Sequence, residues 1–231
     1  MKIPTYLAMT AAEFSTCQSL PVYTAWMACH FSSYGTGLTN LPKTLPDNAL
    51  IIVNDRTPIC GHDGELIASQ LTQLIQQVNP QGILLDFQNT GSAELQALAQ
   101  SLVKDLPYPV CLPEAFARDC DCPVFVSALP VQKTIAEHLS PWQGREIWLE
   151  SALEAVQITV METGPHAVNV PYPPDKVGFS DDSLFCHYVT EVTNDTIRFT
   201  LWRTKEDLDR MLEAASTLGV IRAVGLWQEL G

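Results

Sequence analysis

The chain has 231 residues and a mass of 25.5 kDa, and 46% of its residues are apolar. This composition supports a full hydrophobic core and excludes a disordered chain. The 26 acidic residues outnumber the 13 basic ones and leave a formal net charge of −13. Because nucleic acids and anionic membranes attract basic surfaces, we expect neither as a partner. No apolar run approaches the ~18 residues that a membrane-spanning helix requires.

The N-terminal stretch MKIPTYLAMTAAEF reaches Glu13 before the apolar run of a signal peptide could be completed. The chain has seven cysteines, an odd number, and Cys29 and Cys111 lie in apolar runs where a reduced thiol acts as a small hydrophobe. Cys120 and Cys122 lack a second pair at zinc-like spacing, so we expect no metal and no cofactor. These features predict a cytoplasmic protein.

Eight short runs are typical of strands, several of them apolar without alternation, as in parallel strands buried on both faces. In chain order they are Pro4–Met9, Tyr23–Cys29, Ala49–Asn54, Gly82–Gln88, Tyr108–Pro113, Pro123–Ser127, Glu146–Glu150 and Ile221–Trp227.

Segments with helical periodicity separate several of these predicted strands. Apolar residues recur at helical spacing over Asp63–Val78 and over Ser92–Leu106, with Ser92 as an N-cap. We interpret Asp63 in the same way, although Cys60 and His62 beside it are metal-capable side chains. A third helix is predicted from Thr204 to Leu218, with Thr204 and Asp207 at capping-box spacing and Gly219 at its end.

Alternation of strand and helix predicts a parallel sheet, and eight parallel strands close into a (β/α)8 TIM barrel. The chain is short for that fold, which usually takes ~250 residues, and Glu114 to Cys122 leaves no room for a proper helix after the fifth strand. We expect one compact domain over residues 1–231.

A small antiparallel insertion is predicted at residues 151–203, between the seventh strand and the seventh helix. Three segments in it alternate apolar and polar residues: Val156–Glu162, Phe185–Val192 and Thr196–Trp202. Thr193–Asp195 is typical of a tight turn, and the proline-rich stretch Pro165–Asp182 predicts a loop or a long crossing.

Barrel chemistry lies at the carboxyl ends of the strands, so polar residues there are the candidates for a site. Leu84, Asp86 and Gln88 share one face of the fourth strand and rise from the barrel interior to its mouth. An acid, an amide and an indole at one rim suit a sugar-like ligand. The candidates at the predicted strand ends are His30, Asp55, Arg56, Asp86, Gln88, Glu114, Glu150 and Trp227.

The run Gln81–Gln88, QGILLDFQ, resembles the fourth-strand signature D-G-x-D-x-D-x-E of the family 18 glycoside hydrolases, the chitinase-like barrels. Gly82, Asp86 and Phe87 match it in position and spacing. Trp227 in AVGLWQEL falls where that family has the tryptophan that floors the sugar site, and an insertion after the seventh strand is common there. The resemblance implies the barrel fold and a carbohydrate or amino-sugar ligand.

The chain departs from the signature at the residue that matters most for hydrolysis. In the family the final Glu protonates the leaving oxygen and the preceding Asp orients the substrate's N-acetyl group. This chain keeps Asp86 but has Gln88 at the acid position. An amide cannot supply general-acid catalysis, which is worth roughly 10²–10⁴-fold. The departure predicts a binding or repurposed protein.

Another carboxylate could replace the missing acid. Glu114, Glu150, Glu229 and Asp55 all follow predicted strands, and Glu114 follows the strand next to that of Asp86. An active glycosidase using Asp86 with Glu114 or Asp55 therefore remains the alternative, since adjacent strand ends allow either carboxylate spacing known in glycosidases.

Each candidate site residue also has an alternative, structural interpretation. Asp86 could cap the turn at Thr90–Ser92 or pair with Arg56, and Asp55 could form a local ion pair with Arg56. His30 could bond a neighbouring loop. Gln88 could be an exposed strand-end amide, and Trp227 could be core. We expect Asp86, with Glu114, to be catalytic if the protein is an enzyme, and the other candidates to contact ligand.

Overall fold

The computed structural model describes residues 2–33, 36–57, 63–161, 163–173, 177–193 and 196–231. Its strands, in chain order, are β1 (Thr5–Met9), β2 (Thr24–Phe31), β3 (Leu38–Thr39), β4 (Leu50–Asn54), β5 (Ile83–Asp86), β6 (Val110–Pro113), β7 (Val124–Val126), β8 (Ile147–Glu150), β9 (Ala155–Met161), β10 (Gly164–Asn169), β11 (Phe179–Asp181), β12 (Cys186–Val192), β13 (Ile197–Trp202) and β14 (Val220–Leu226). Its α-helices are α1 (Ala11–Thr16), α2 (Gly64–Val78), α3 (Ala93–Asp105), α4 (Glu114–Ala117), α5 (Ile135–Leu139), α6 (Lys205–Ala215) and α7 (Trp227–Leu230).

Eight parallel strands close into a barrel. The order around it is β1, β2, β4, β5, β6, β7, β8 and β14, and β1 closes the ring by pairing in parallel with both β14 and β2. The predicted (β/α)8 fold is therefore confirmed, and each strand lies within two residues of its predicted bounds. The short β3 adds an antiparallel partner to β2 beyond the ring.

The predicted caps set the ends of the long helices. Asp63 Oδ1 accepts hydrogen bonds from the amides of Glu65 and Leu66 at the start of α2. Ser92 caps α3. Thr204 and Asp207 form the expected reciprocal box on α6, and the chain leaves the short 3-10 turn after α6 through Gly219 at φ +94°. After β6 the chain has only the four-residue α4, as its length predicted.

Strand alternation sorts the apolar side chains into two clusters. In β5, Ile83 and Leu85 pack outward against the helices, and Leu84 joins the barrel interior with Trp148. Gly82 precedes β5 where a Cβ atom would lie 2.7 Å from Cη2 of Trp148. The glycine of QGILLDFQ thus leaves room for the indole that fills the barrel.

The insertion is a five-stranded antiparallel sheet in the order β10-β9-β13-β12-β11. The predicted strands at β9, β12 and β13 are confirmed. The prediction of a loop over Pro165–Asp182 is wrong in part, because β10 and β11 lie in or overlap that stretch. Both are edge strands, and Pro165 is tolerated there because an edge strand leaves one row of backbone groups unpaired. Of the predicted turn, Asn194 and Asp195 lie outside the described residues, as do Cys60 and His62.

Several polar contacts join the insertion to the barrel, and two of them are made by the buried side chains of Arg203 and Asp207. Arg203, 1% exposed, donates a 2.6 Å hydrogen bond to the carbonyl oxygen of Leu129 and others to Phe185 and Leu184. Nδ1 of His187 on β12 lies 2.9 Å from Oδ2 of Asp207 on α6. Within the described ranges no helix has the length and apolarity needed to cross a bilayer.

Candidate functional site

The central feature of the barrel mouth is a pair of polar side chains at the end of β5. Gln88 Nε2 donates a 2.6 Å hydrogen bond to Asp86 Oδ1. Both side chains continue the face of Leu84, as the alternation along the strand predicted. The strand itself ends at Asp86, two residues earlier than expected. In the part of the chain that the structure describes, Asp86 bonds neither to the turn at Thr90–Ser92 nor to Arg56.

Burial raises the pKa of Asp86 above its ordinary value. The hydrogen bond from Gln88 lowers the pKa, and the negative charges of Glu150 and Asp55 raise it further. The net direction is upward, so the carboxyl group holds its proton more readily than an exposed aspartate does. A perturbed acid in a cleft is typical of functional sites.

Two cavities meet at this pair. The outer cavity, of about 820 Å³, lies among the loops that follow β1, β2, β4 and β5, and its lining includes His30, Asn54 and Asp55. The inner cavity, of about 220 Å³, reaches down to Ile52, Leu84 and Val224 of the barrel interior. Asp86 and Gln88, together with Met27, line both. The outer volume lies within the ~300–1,000 Å³ range of small-ligand sites.

Asp55 supports the loop that carries Gln88. Its two carboxylate oxygens accept hydrogen bonds of 3.0 and 3.1 Å from the amide of Gln88, and one of them accepts a 2.8 Å bond from the amide of Asn89. Asp55 thereby holds the backbone beyond β5 in place. It forms no ion pair with Arg56, whose backbone amide bonds Asn54 Oδ1 and whose side chain lines the outer cavity.

His30 lines the outer cavity but has hydrogen-bond partners within the fold. Asn40 Nδ2 lies 3.1 Å from Nε2, and the carbonyl oxygen of Phe31 lies 2.9 Å from Nδ1. A carbonyl oxygen accepts from a ring nitrogen and a side-chain amide donates to one, so the two contacts suit donation from Nδ1 and acceptance at Nε2. The arrangement matches the interpretation of His30 as a residue that bonds a neighbouring loop.

Glu114 lies away from the two cavities and lines neither. Its Oε1 accepts a 2.9 Å hydrogen bond from the indole of Trp142, and its Oε2 accepts one of 3.1 Å from the Ser127 hydroxyl. Both oxygens are thus engaged in contacts between α4, the end of β7 and the turn after α5. These hydrogen bonds connect the three elements, and the catalytic role of Glu114 stays a prediction.

Trp227 also lines neither cavity. The last barrel strand ends at Leu226, one residue earlier than expected, and Trp227 begins the short α7. Glu150, by contrast, lines the inner cavity, where its Oε2 accepts a 3.1 Å bond from the amide of Ala128.

Several residues that line the two cavities went unassigned in the sequence analysis. Glu229 on α7 lines the inner cavity and was named there only as one of several strand-end carboxylates. Phe125 supplies an aromatic ring and Asn54 an amide, and Ser151 also lines the inner cavity. Ser151 directly follows β8, so reading one residue beyond each strand would have found it.

The described carboxylate, histidine and cysteine side chains form no group of three that could hold a metal ion. Five described cysteines have a perturbed pKa, and in each of them the pKa is raised. None of these five thiols is therefore activated. Burial raises the pKa of Cys122 to about 11 and that of Cys29 to about 12. Both thiols therefore stay protonated near neutral pH.

The fold is shared with solved structures of a chitinase and of two spore cortex-lytic enzymes at very low sequence identity. The spore cortex-lytic enzyme SleL of Bacillus cereus superposes with a TM-score of 0.57 at 10% identity, over 99% of this chain and 71% of that one. A chitinase from Chromobacterium violaceum gives 0.57 at 8% identity, over 96% and 93%. SleL of Bacillus megaterium gives 0.54 at 11%, over 97% and 70%. No family model and no curated protein matches the sequence. The similarity is one of fold.

Proposed function

We propose that this chain is a carbohydrate-binding barrel, divergent from the family 18 glycoside hydrolases, that lacks the usual catalytic acid. The observation that carries the proposal is the Gln88–Asp86 hydrogen bond at the junction of the two cavities. An amide that donates to the neighbouring aspartate occupies the place where a hydrolase of this type carries its proton donor. Asp86 and Gln88 are the ligand-binding residues of the proposal.

The shape of the mouth supports a ligand of several rings. The outer cavity, of about 820 Å³, has the volume of a typical small-molecule site. The inner cavity continues from it into the barrel. Amide and carboxylate groups line both, and such groups bond sugar hydroxyls. Phe125 offers a ring face within the inner cavity.

An active glycosidase is the second candidate, and one observation favours it. Asp86, whose pKa is raised by burial, shares the inner cavity with Glu150, and glycoside hydrolysis uses a pair of carboxyl groups. Asp55 and Glu114 are weaker partners for Asp86, because their carboxylate oxygens already accept hydrogen bonds. Those of Asp55 accept from the amides of Gln88 and Asn89. Those of Glu114 accept from Trp142 and Ser127.

Calorimetric binding and turnover assays separate the two candidates. Wild type, Asp86→Ala and Gln88→Glu are titrated with acetylated and de-acetylated glucosamine oligomers and with peptidoglycan fragments, and each mixture is checked for released sugar. Saturable binding that Asp86→Ala abolishes, with no hydrolysis by wild type, supports the binding protein. Hydrolysis by wild type that Glu150→Gln abolishes supports the enzyme. Absence of both binding and turnover contradicts both candidates.

A matched control guards this test against indirect effects. Asp119→Ala removes an exposed carboxylate that lies outside both cavities. We expect this variant to bind like wild type, so that loss of binding in Asp86→Ala reports the site itself.

A further inference from the structure

We propose that a third cavity, on the outside of the barrel, binds a carboxylate that carries an aliphatic chain, such as a fatty acid of medium length. The cavity has a volume of about 550 Å³, within the range of small-ligand sites, and lies between β1, α6 and the end of α7. It is separate from the barrel mouth, and the proposal does not depend on carbohydrate binding there.

The walls of this outside cavity are largely apolar. Tyr6 and Ala8 of β1 join the cluster inside the barrel, so strand alternation turns Thr5 and Leu7 outward, and both of these line the cavity. The apolar side chains in the lining come from β1, the residues before it, α6 and α7, and they are Ile3, Pro4, Leu7, Leu208, Leu212 and Leu230. Such a lining suits an aliphatic chain, because its burial there removes apolar surface from water.

Ser151 gives independent evidence that a ligand belongs in this cavity, which it also lines. Leu149 packs outward and Glu150 lines the inner cavity, so the next side chain along the strand, that of Ser151, points outward again. The Ser151 amide continues the ladder with a 2.8 Å bond to the carbonyl oxygen of Val224. The residue is 2% exposed, and its Oγ is buried with no hydrogen-bond partner in the described part of the chain. Because native proteins satisfy nearly all such groups, a ligand oxygen is the expected partner.

Lys205 brings a positive charge to the Ser151 end of the cavity. Leu230 connects the two residues, because Ser151 and Leu230 both approach the backbone of Gly225 closely enough to meet a Cβ atom there. Nζ of Lys205 donates hydrogen bonds of 3.1 and 3.3 Å to the backbone oxygens of Leu230 and Gly231. An ammonium group has three donors, so one remains for a ligand. Over the described ranges no acidic side chain forms an ion pair with Lys205.

A carboxylate is the head group that matches these donors. One of its oxygens accepts from the Ser151 hydroxyl and the other from the Lys205 ammonium, and such charge-assisted bonds are about twice as strong as neutral ones. The other charged residues of the lining, Lys2 and Asp209, lie 3.8 Å apart as an exposed ion pair and largely cancel each other. An ammonium head group would be repelled by Lys205, and a hydroxyl head group would lack the charge.

Isothermal titration calorimetry tests the proposal with three probes of equal chain length: decanoate, decanol and decylamine, each kept below the concentration at which it forms micelles. We expect saturable binding of decanoate, at least about tenfold tighter than that of decanol and tighter still than that of decylamine. Binding of either other probe as tightly as decanoate would overturn the carboxylate site, as would the absence of decanoate binding. Each of these results leaves the sugar titrations at the barrel mouth to be judged separately.

Ser151→Ala locates the head group. Because the hydroxyl has no partner without ligand, its removal should leave the melting temperature of the free protein equal to or above that of wild type. The same substitution should weaken decanoate binding several-fold. A variant with unchanged decanoate affinity would overturn the placing of the carboxylate at Ser151.

Lys205→Gln tests the charge. We expect it to weaken decanoate binding about tenfold and to leave decanol binding unchanged. The matched control is Lys104→Gln, which removes an exposed lysine on α3 outside the cavity. Equal weakening by Lys104→Gln and Lys205→Gln would assign the preference to net charge and overturn the site.

Discussion

Gln88 Nε2 and Asp86 Oδ1 lie 2.6 Å apart at the mouth of the barrel, with the amide donating to the carboxyl group. The contact links the two residues on which the proposed function depends. It also gives the amide at the position of the missing acid a definite structural role: it holds Asp86 in one orientation where the outer and inner cavities meet.

Asp86 is expected to destabilise the protein without ligand at neutral pH. Burial raises its pKa in the folded state, so the charged form costs stability, and that cost appears as pH rises through the raised pKa. Asp86→Asn keeps the acceptor for Gln88 and removes the charge. We expect its melting temperature at pH 7 to exceed that of wild type by about 2–4 °C, with the difference vanishing near pH 3.

Differential scanning calorimetry across pH 3–8 checks this expectation. Asp119→Asn is the matched control, because it neutralises an exposed aspartate away from the mouth. A melting temperature of Asp86→Asn below that of wild type at pH 7 would contradict the account.

Gln88→Glu is expected to destabilise the protein in a pH-dependent way. The substitution places a second carboxyl group against Asp86, and two carboxylates at that distance cannot both ionise without strong repulsion. We expect a melting temperature several degrees below wild type at pH 7 that recovers as pH falls to about 4. The control is Gln73→Glu on the exposed face of α2. An equal loss in both variants would show that the mouth is not the cause.

Glu114→Gln separates a structural carboxylate from a relocated acid. The substitution weakens the hydrogen bonds from Trp142 and Ser127, and a hydrogen bond to a charged group is worth about 1.5–3 kcal/mol. We expect a loss of about 1–2 kcal/mol in urea unfolding, with binding of sugar oligomers unchanged. Loss of turnover at unchanged stability would instead identify Glu114 as the acid.

Gly82→Ala tests the packing role of the motif glycine. The new Cβ would lie 2.7 Å from Trp148 Cη2 and 3.0 Å from an Arg222 nitrogen, so the indole must shift within a filled barrel. We expect a loss of about 1–3 kcal/mol, measured by urea unfolding followed through tryptophan fluorescence. Gly91→Ala is the control, because the nearest atom to its Cβ is 3.8 Å away. Similar losses in the two variants would refute the explanation.

Asp207 is expected to stabilise the junction of insertion and barrel. Burial alone would raise its pKa, but hydrogen bonds from Thr204, Arg210 and His187 outweigh burial and lower it. The stabilisation is therefore present above the ordinary aspartate pKa and lost as pH falls through the lowered value. Asp207→Asn should cost about 2–3 kcal/mol at pH 7 and less at pH 3, measured by denaturant unfolding. Asp209→Asn, an exposed neighbour, should cost little.

The features that depend on local sequence patterns could be predicted from the sequence. The eight barrel strands, the caps of α2, α3 and α6, and the placing of Leu84, Asp86 and Gln88 on one face follow from periodicity over a few residues. Contacts between segments that lie far apart in the chain could not be predicted from such patterns. The bond from Trp142 to Glu114 joins residues 28 positions apart, and the bond from Gln88 to Asp55 joins residues 33 apart. Trp227 lies one residue beyond the end of β14, at the start of α7, and lines neither cavity.

Calorimetric titration of glucosamine oligomers into wild type and Asp86→Asn tests the central claim most directly. The account predicts saturable binding by wild type and its loss in a variant that is at least as stable at pH 7. Equal affinity in the two proteins, or no binding by wild type, would contradict the claim that Asp86 and Gln88 form a carbohydrate site.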